Sequence, residues 1–271
     1  MQGHWTTKMT DKNMMGPLSD LRVVEFDGLG PTPFSAMQLA DMGAKVIRIS
    51  RKSGTQTANQ YTDVVFRNRP YVELNLKDKE DLKRTKDLID KADVLIEGFR
   101  PGVMERLGLS PEELIKTNPK LVFARMTGWG QDGPLSHTAG HDMNYISLSG
   151  ALHAIGPKNN PIAPLNLLGD FAAGSMFLVF GILCAVLHSR KTGQGQIVDG
   201  SIVDGTANLM AMMYSMFHFN QWEDKREINM LDGGAPYYTT YKTYDNRDIS
   251  VGAIEEKFYL EFISKLGFKV E

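Results

Sequence analysis

Between residues 21 and 126 the chain alternates short apolar runs with helical patterns, which constrains its fold more than any other feature. Leu21 to Phe26 carries adjacent β-branched residues and reads as a strand. Gly28-Leu29-Gly30-Pro31 breaks it. Phe34 to Met42 then shows the helical spacing Phe34, Met37, Leu39 and Ala40, closed by Gly43. Lys45 to Ile49 returns as a strand. The pattern recurs as strand Tyr71 to Leu76, charged helix Asp78 to Lys91, strand Asp93 to Ile96, helix Pro111 to Lys116 and a last strand, Leu121 to Met126. Such alternation implies an α/β fold with a mostly parallel sheet covered on both faces.

Beyond residue 140 the chain turns helical and methionine-rich. Asp232-Gly233-Gly234-Ala235-Pro236 is a loop, and Tyr237 to Tyr244, an Asp245-Asn246 turn and Ile249 to Ala253 read as a hairpin that begins a second unit. The expected organisation is a disordered extension over 1–15, a large domain over 16–215, and a linker with part of a small domain over 216–271. Met1 to Met15 is polar, without an apolar core or arginine, and resembles neither a secretory signal nor a good transit peptide.

With 271 residues, 42% of them hydrophobic, the chain can bury a large core. A formal net charge of −2 gives no overall attraction to nucleic acid or a membrane surface. One cysteine, Cys184, excludes an internal disulfide and a multi-thiolate metal site. It lies in the apolar run Phe171 to Leu187 and reads as a buried structural thiol. That run is shorter than the roughly 20 residues a bilayer needs, and glycines interrupt it, so we expect a buried core helix and no membrane span. The histidines show no metal-ligand spacing, and no metal is expected.

Gly28-x-Gly30 invites a dinucleotide reading, but the third glycine is missing. Where an acidic residue would hold an NAD ribose stand Arg48, Arg51 and Lys52. Basic groups there suit a phosphorylated nucleotide, NADP or coenzyme A, and equally a solvated basic rim. Arg67, Arg69, Lys77 and Arg100 fall near further strand ends. Singly each is a surface charge; together at one sheet edge they suit an anionic ligand, because guanidinium groups bind phosphate bidentately.

His141 lies in Gly140-His141-Asp142-Met143-Asn144-Tyr145, and Asp170 in Leu167-Leu168-Gly169-Asp170-Phe171. An imidazole and a carboxylate on opposite sides of one carbon can take a proton from one face and return it to the other. Each also has a plain reading: His141 as a satisfied structural histidine, Asp170 as the N-cap of the apolar helix. Free N–H groups at that helix start would stabilise an enolate oxygen. The run Leu209 to Phe217 is dense in methionine, suiting either core packing or an adaptable surface for acyl chains.

At this point the residues form a pattern. Gly16-Pro17-Leu18, Asp93 to Val103 with its Arg100-Pro101-Gly102, Ala124 to Gln131, Gly140 to Ser147, Pro164 to Asp170 and Val251 to Glu255 together resemble the family III CoA-transferase (CaiB/BaiF-like) superfamily. Gly140-His141-Asp142-x-Asn144-Tyr145 points to its alpha-methylacyl-CoA racemase branch. The resemblance implies a Rossmann-like CoA-binding domain, a smaller second domain and an interlocked homodimer. It implies interconversion of (2R)- and (2S)-2-methylacyl-CoA thioesters, in branched-chain fatty acid metabolism, with no organic cofactor or metal. The CoA moiety belongs to the substrate. His141 and Asp170 would be the two acid/bases, with Glu255 supporting the histidine from the partner subunit. Arg51, Leu74, Asn75, Leu76, Lys77, Gly98, Phe99, Arg100, Arg106, Gly140, Asp142, Met143, Asn144 and Tyr145 match CoA-contacting segments.

Family members run on for roughly a hundred further residues, so a C-terminally truncated chain is expected. Relatives in animals act in peroxisomes and mitochondria, and Phe268-Lys269-Val270-Glu271 is no peroxisomal address. Three alternatives stand beside the racemase. One is a CoA-transferase using Asp170 as covalent nucleophile. The others are a CoA-binding form without turnover and an NADP reductase.

Overall fold

The computed structural model describes residues 16–51 and 64–268. The expectations for residues 1–15 and for Lys52 lie outside the described residues. The chain runs β1 (Arg22–Phe26), α1 (Pro31–Asp41), β2 (Lys45–Arg51), β3 (Tyr71–Leu74), α2 (Lys79–Ile89), β4 (Val94–Glu97), α3 (Val103–Arg106), α4 (Pro111–Thr117) and β5 (Val122–Thr127). It continues with α5 (Asp142–Leu148), α6 (Ala151–Ala154), a π-helix (Leu167–Met176), α7 (Phe177–Thr192), β6 (Ile197–Ser201), α8 (Ile202–Leu209) and α9 (Ala211–His218). A hairpin of β7 (Tyr238–Lys242) and β8 (Asp248–Gly252) and helix α10 (Glu256–Lys265) follow.

Six strands form one sheet in the order β3-β2-β1-β4-β5-β6, every pairing parallel. The period-2 side-chain alternation divides the core in two. Val23, Ile96, Val122 and Ala124 face one side, packed with Leu178, Ile182 and Ala185 of α7. Val24, Leu95 and Phe123 face the other, with Ile89, Met104 and Leu114. Strand β4 is buried throughout, as its continuous apolar run requires of a central strand.

Several expectations change. Strand β6 was not expected in a stretch read as helical: Gly195 and Gly200 punctuate Ile197-Val198-Asp199, and at the sheet edge only Ser201 of its residues is buried, so the apolar signal of a strand is weak. Helix α1 begins at Pro31, not Phe34. Prolines suit a first helical turn, whose N–H groups have no intrahelical partner. The apolar run is not wholly buried. With the π-helix, α7 makes one apolar helix of 26 residues, long and apolar enough to cross a membrane by length and composition. Its inner face packs on the sheet, while Phe180 and Leu187 are exposed and so is Cys184. The single thiol is therefore not a core residue. The methionine-rich run is not core either, because α9 buries none of its side chains and Met212 and Phe217 are exposed.

The two faces of α7 make different stability predictions. Ile182→Ala should cost about 3 kcal/mol by leaving a core cavity. Phe180→Ala, on a side chain 69% exposed, should change stability by no more than about 0.5 kcal/mol. Denaturant unfolding of the two variants measures both.

Candidate active site

In the strand order β3-β2-β1-β4-β5-β6 all strands run parallel, but the order in which successive strands are added reverses between β1 and β4. The loops leaving their carboxyl ends turn to opposite faces of the sheet and open a crevice. A cavity of about 340 Å³ lies there. Leu29 to Thr32 close it after β1, Gly98 to Pro101 after β4, and Thr127 to Trp129 after β5. The remaining wall comes from Ser136, Thr138 to Asp142, Tyr145, Asp170 and Ile202. His141 and Asp170, 29 positions apart in the chain, thus face one space.

His141 is the N-cap of α5. Its N–H donates to Asn144 Oδ1 at 3.0 Å, and its carbonyl accepts from the Asn144 N–H at 2.8 Å. This reciprocal pair fixes the backbone from which the imidazole extends. The ring is exposed to the cavity side rather than packed in the core. Tyr145, one turn on, is wedged beneath. Its ring stands edge-on to Trp129 with centroids 4.7 Å apart. A Cβ on Gly128 would come within 1.9 Å of that ring, so only glycine admits it.

Asp170 is not the N-cap of an α-helix. The helix starts at Leu167, with Asn166 as its cap and Asp170 in the first turn of the π-helix. Leu165, immediately before, holds φ at 59°, a strained value for a leucine. Asn166 Nδ2 reaches the Asp170 carboxylate at 3.4 Å. Gly30, at φ 63°, lies opposite; a Cβ there would stand 3.0 Å from Asp170 Oδ2. The Asp170 N–H is taken by Asp142 Oδ2 at 2.7 Å, so it is no free donor for an enolate oxygen. Burial raises the Asp170 pKa above the ordinary carboxyl value; the Asn166 bond opposes this, Asp142 adds to it, and His141 opposes it. Burial likewise raises Tyr145 above the usual phenol.

The other expected contacts divide. Gly98, Phe99, Arg100, Gly140, Asp142 and Tyr145 line the cavity with His141 and Asp170. Arg51, Asn75 and Lys77 are exposed farther along the same carboxyl edge, and Leu76 is half-buried there. Leu74 is buried in the core, which leaves only its backbone to a ligand. Arg106, Met143 and Asn144 are exposed outside the cavity wall, and Asn144 is committed to His141. Glu255 precedes α10 in the hairpin unit and does not reach this cavity.

Three of the basic residues have other partners. Arg69 is buried against Glu25 at 2.8 Å, and Arg67 pairs with Asp41. Arg48 is buried beneath the Phe66 ring, 4.1 Å from its centroid, and 3.8 Å from Asp27. They brace the sheet edge rather than face a ligand. Sequence reading missed Glu97, which holds the wall loop. Its Oε2 accepts the Phe99 N–H at 2.7 Å and its Oε1 accepts from Arg125 at 2.8 Å. An acidic residue ending an otherwise apolar strand was the available signal.

Burial pushes Glu97 up to about 7, against the opposing Phe99 and Arg125 contacts. A folded-state value above the unfolded one means the folded protein holds a proton that the unfolded chain has released. Stability from this group is therefore full below about 4.5 and lost as pH rises through about 7. Glu97→Gln should flatten that fall, read as a smaller change in melting temperature between pH 4.5 and 7 than in the wild type.

The family description "CoA-transferase family III" matches residues 18–270. The human alpha-methylacyl-CoA racemase is 45% identical over 93% of this chain and 65% of its own length. A Caenorhabditis elegans CaiB/baiF CoA-transferase family protein is 39% identical over 92% of this chain and 73% of its own. The mouse succinyl-CoA:glutarate CoA-transferase is 29% identical over 90% and 58%. The crystal structure of Rv3272 from M. tuberculosis superposes with a TM-score of 0.76 at 28% identity, covering 94% of this chain and 69% of that one. The chain spans about two thirds of the length of the curated racemases it matches, 65% of the human and 66% of the mouse protein. The chain belongs to CoA-transferase family III.

Proposed function

We propose that this chain is an alpha-methylacyl-CoA racemase, interconverting (2R)- and (2S)-2-methylacyl-CoA thioesters. The observation that carries this reading is the convergence of His141 and Asp170 on one cavity at the switch point of the sheet. The higher identity to the racemase than to the succinyl-CoA:glutarate transferase supports it.

The thioester carbonyl makes the α-proton acidic enough to remove. In one direction neutral His141 takes that proton, leaving an enolate, and protonated Asp170 delivers its own to the opposite face. In the other direction the roles exchange. The pair carries one proton in total, so each direction needs one member protonated and the other not. Burial of Asp170 serves this: desolvation opposes the charged carboxylate and so favours the protonated form more than in an exposed aspartate. Arg51, Lys77 and Arg100, spaced along the carboxyl edge, would meet the phosphates of CoA. The exposed Met212 and its neighbours on α9 offer a flexible apolar surface for the acyl chain. Glu255 would act on His141 from a partner subunit in a homodimer.

Either enantiomer of a 2-methylacyl-CoA in deuterium oxide should lose its α-proton to solvent, followed by NMR. His141→Gln and Asp170→Asn should each slow racemisation by about 100-fold or more. A folded protein that exchanges neither enantiomer excludes the racemase. Transfer of CoA to a free acid, with an acyl group trapped on Asp170, would instead select the transferase, a reading that leaves His141 without a task.

A further inference from the structure

Asp142 follows His141 in the chain, yet its carboxylate serves Asp170. The side chain is buried, with 7% of the residue exposed, and its Oδ2 accepts the Asp170 N–H at 2.7 Å. Among the described residues nothing donates to Oδ1, which is buried too. A buried carboxylate oxygen without a donor costs stability, and such a group in a folded protein asks for a reason. The approach is close. A Cβ on Gly169 would lie 2.5 Å from Asp142 Oδ2, so the position before Asp170 must stay bare for the bond to form.

The other end of the same residue is held as well. Ser175, fully buried, places its Oγ 2.9 Å from the Asp170 carbonyl and 2.8 Å from the Pro31 carbonyl. Asp170 is therefore gripped by side chains at both its N–H and its C=O. Its carboxylate points into the cavity between these two anchors.

We propose that Asp142 is a positioning residue: it sets the depth and direction at which Asp170 presents its carboxyl to the substrate, rather than contacting the substrate itself. This rests on the racemase reading. The burial of Oδ1 argues for it, since a ligand atom does not reach an oxygen that solvent does not reach. The negative charge of Asp142 works in the same sense, adding to burial in keeping Asp170 able to hold a proton.

The two directions of exchange separate positioning from general damage. One enantiomer loses its proton to His141 and the other to Asp170. Asp142→Ala should cut solvent exchange from one enantiomer by about ten-fold or more, and from the other by less than about three-fold. Binding of the thioester should stay within about three-fold of wild type. Asp142→Asn, whose amide oxygen can still accept the Asp170 N–H, should recover most of the loss. Gly169→Ala should reproduce the Asp142→Ala asymmetry. Hydrogen exchange of the Asp170 amide supplies a readout without turnover: its protection should fall in Asp142→Ala and persist in Asp142→Asn. Equal losses from both enantiomers with weakened thioester binding would make Asp142 a ligand contact and overturn the proposal. So would unchanged protection of the Asp170 amide. A wild type that exchanges neither enantiomer condemns the racemase reading, while the amide measurement still decides whether Asp142 holds Asp170.

Discussion

Strand β1 pairs in parallel with β2 on one side and β4 on the other, and the site depends on this divergence. Parallel strands require crossover helices, and right-handed crossovers that leave β1 in two directions place those helices on opposite faces. The carboxyl ends of β1 and β4 then have no shared roof. Small residues complete the opening: Gly30 bends the chain after β1 and leaves room for the Asp170 carboxylate. The cavity is thus a consequence of strand order, and the later helices carry the chemistry to it. The π-helix packs against α1 and brings Asp170, while α5 brings His141.

Beneath this opening the sheet edge holds charges that the fold buries in pairs. Glu25 meets Arg69, and Glu97 meets Arg125, which also reaches Glu105. Burial drives both Glu25 and Glu97 up to about 7 in spite of their arginines. Desolvating an ion pair is costly, so these contacts are weak evidence for stability. Their geometric consequence is clearer. Glu97 fixes the Phe99 amide and with it the loop Gly98 to Pro101 that walls the cavity.

The alternation of strands and helices over residues 21–126 was legible because its apolar runs are long and bounded by glycine, proline or capping residues. Asp78, for example, accepts from the Glu80 and Asp81 amides at the start of α2. The hairpin was legible for the same reason, with Asn246 at φ 63° in its turn. Strand β6 was not, since an edge strand interrupted by glycine lacks the continuous apolar signal of β4. Burial of Arg48 and Arg69 was also invisible locally. Their acidic and aromatic partners lie at Glu25, Asp27 and Phe66, on elements that only the sheet brings together. His141 and Asp170 stood out in the sequence as candidate proton carriers, and the fold brings both to one cavity, but a π-helix leaves no period that a sequence window detects. The Asp142 contact was hidden for this reason: Asp142 reads as a neighbour of His141 until the fold turns its carboxylate to Asp170.

His141 and Asp170 are held in different ways, and the difference suits the proton transfer proposed for them. His141 caps a short helix near solvent, its backbone tied to Asn144 and Tyr145 within the same turn. Asp170 belongs to a class whose ordinary pKa lies far below neutrality. To share one proton with a histidine it must be drawn inward, where desolvation opposes its charge. Drawing it inward requires a rigid support, which the widened helix turn, Asn166, Asp142 and Ser175 supply. Strain at Leu165 and a half-satisfied buried carboxylate at Asp142 are the stability costs of that support. They fall beside the carboxyl whose pKa burial raises, where the proposed proton transfer has most use for a fixed support.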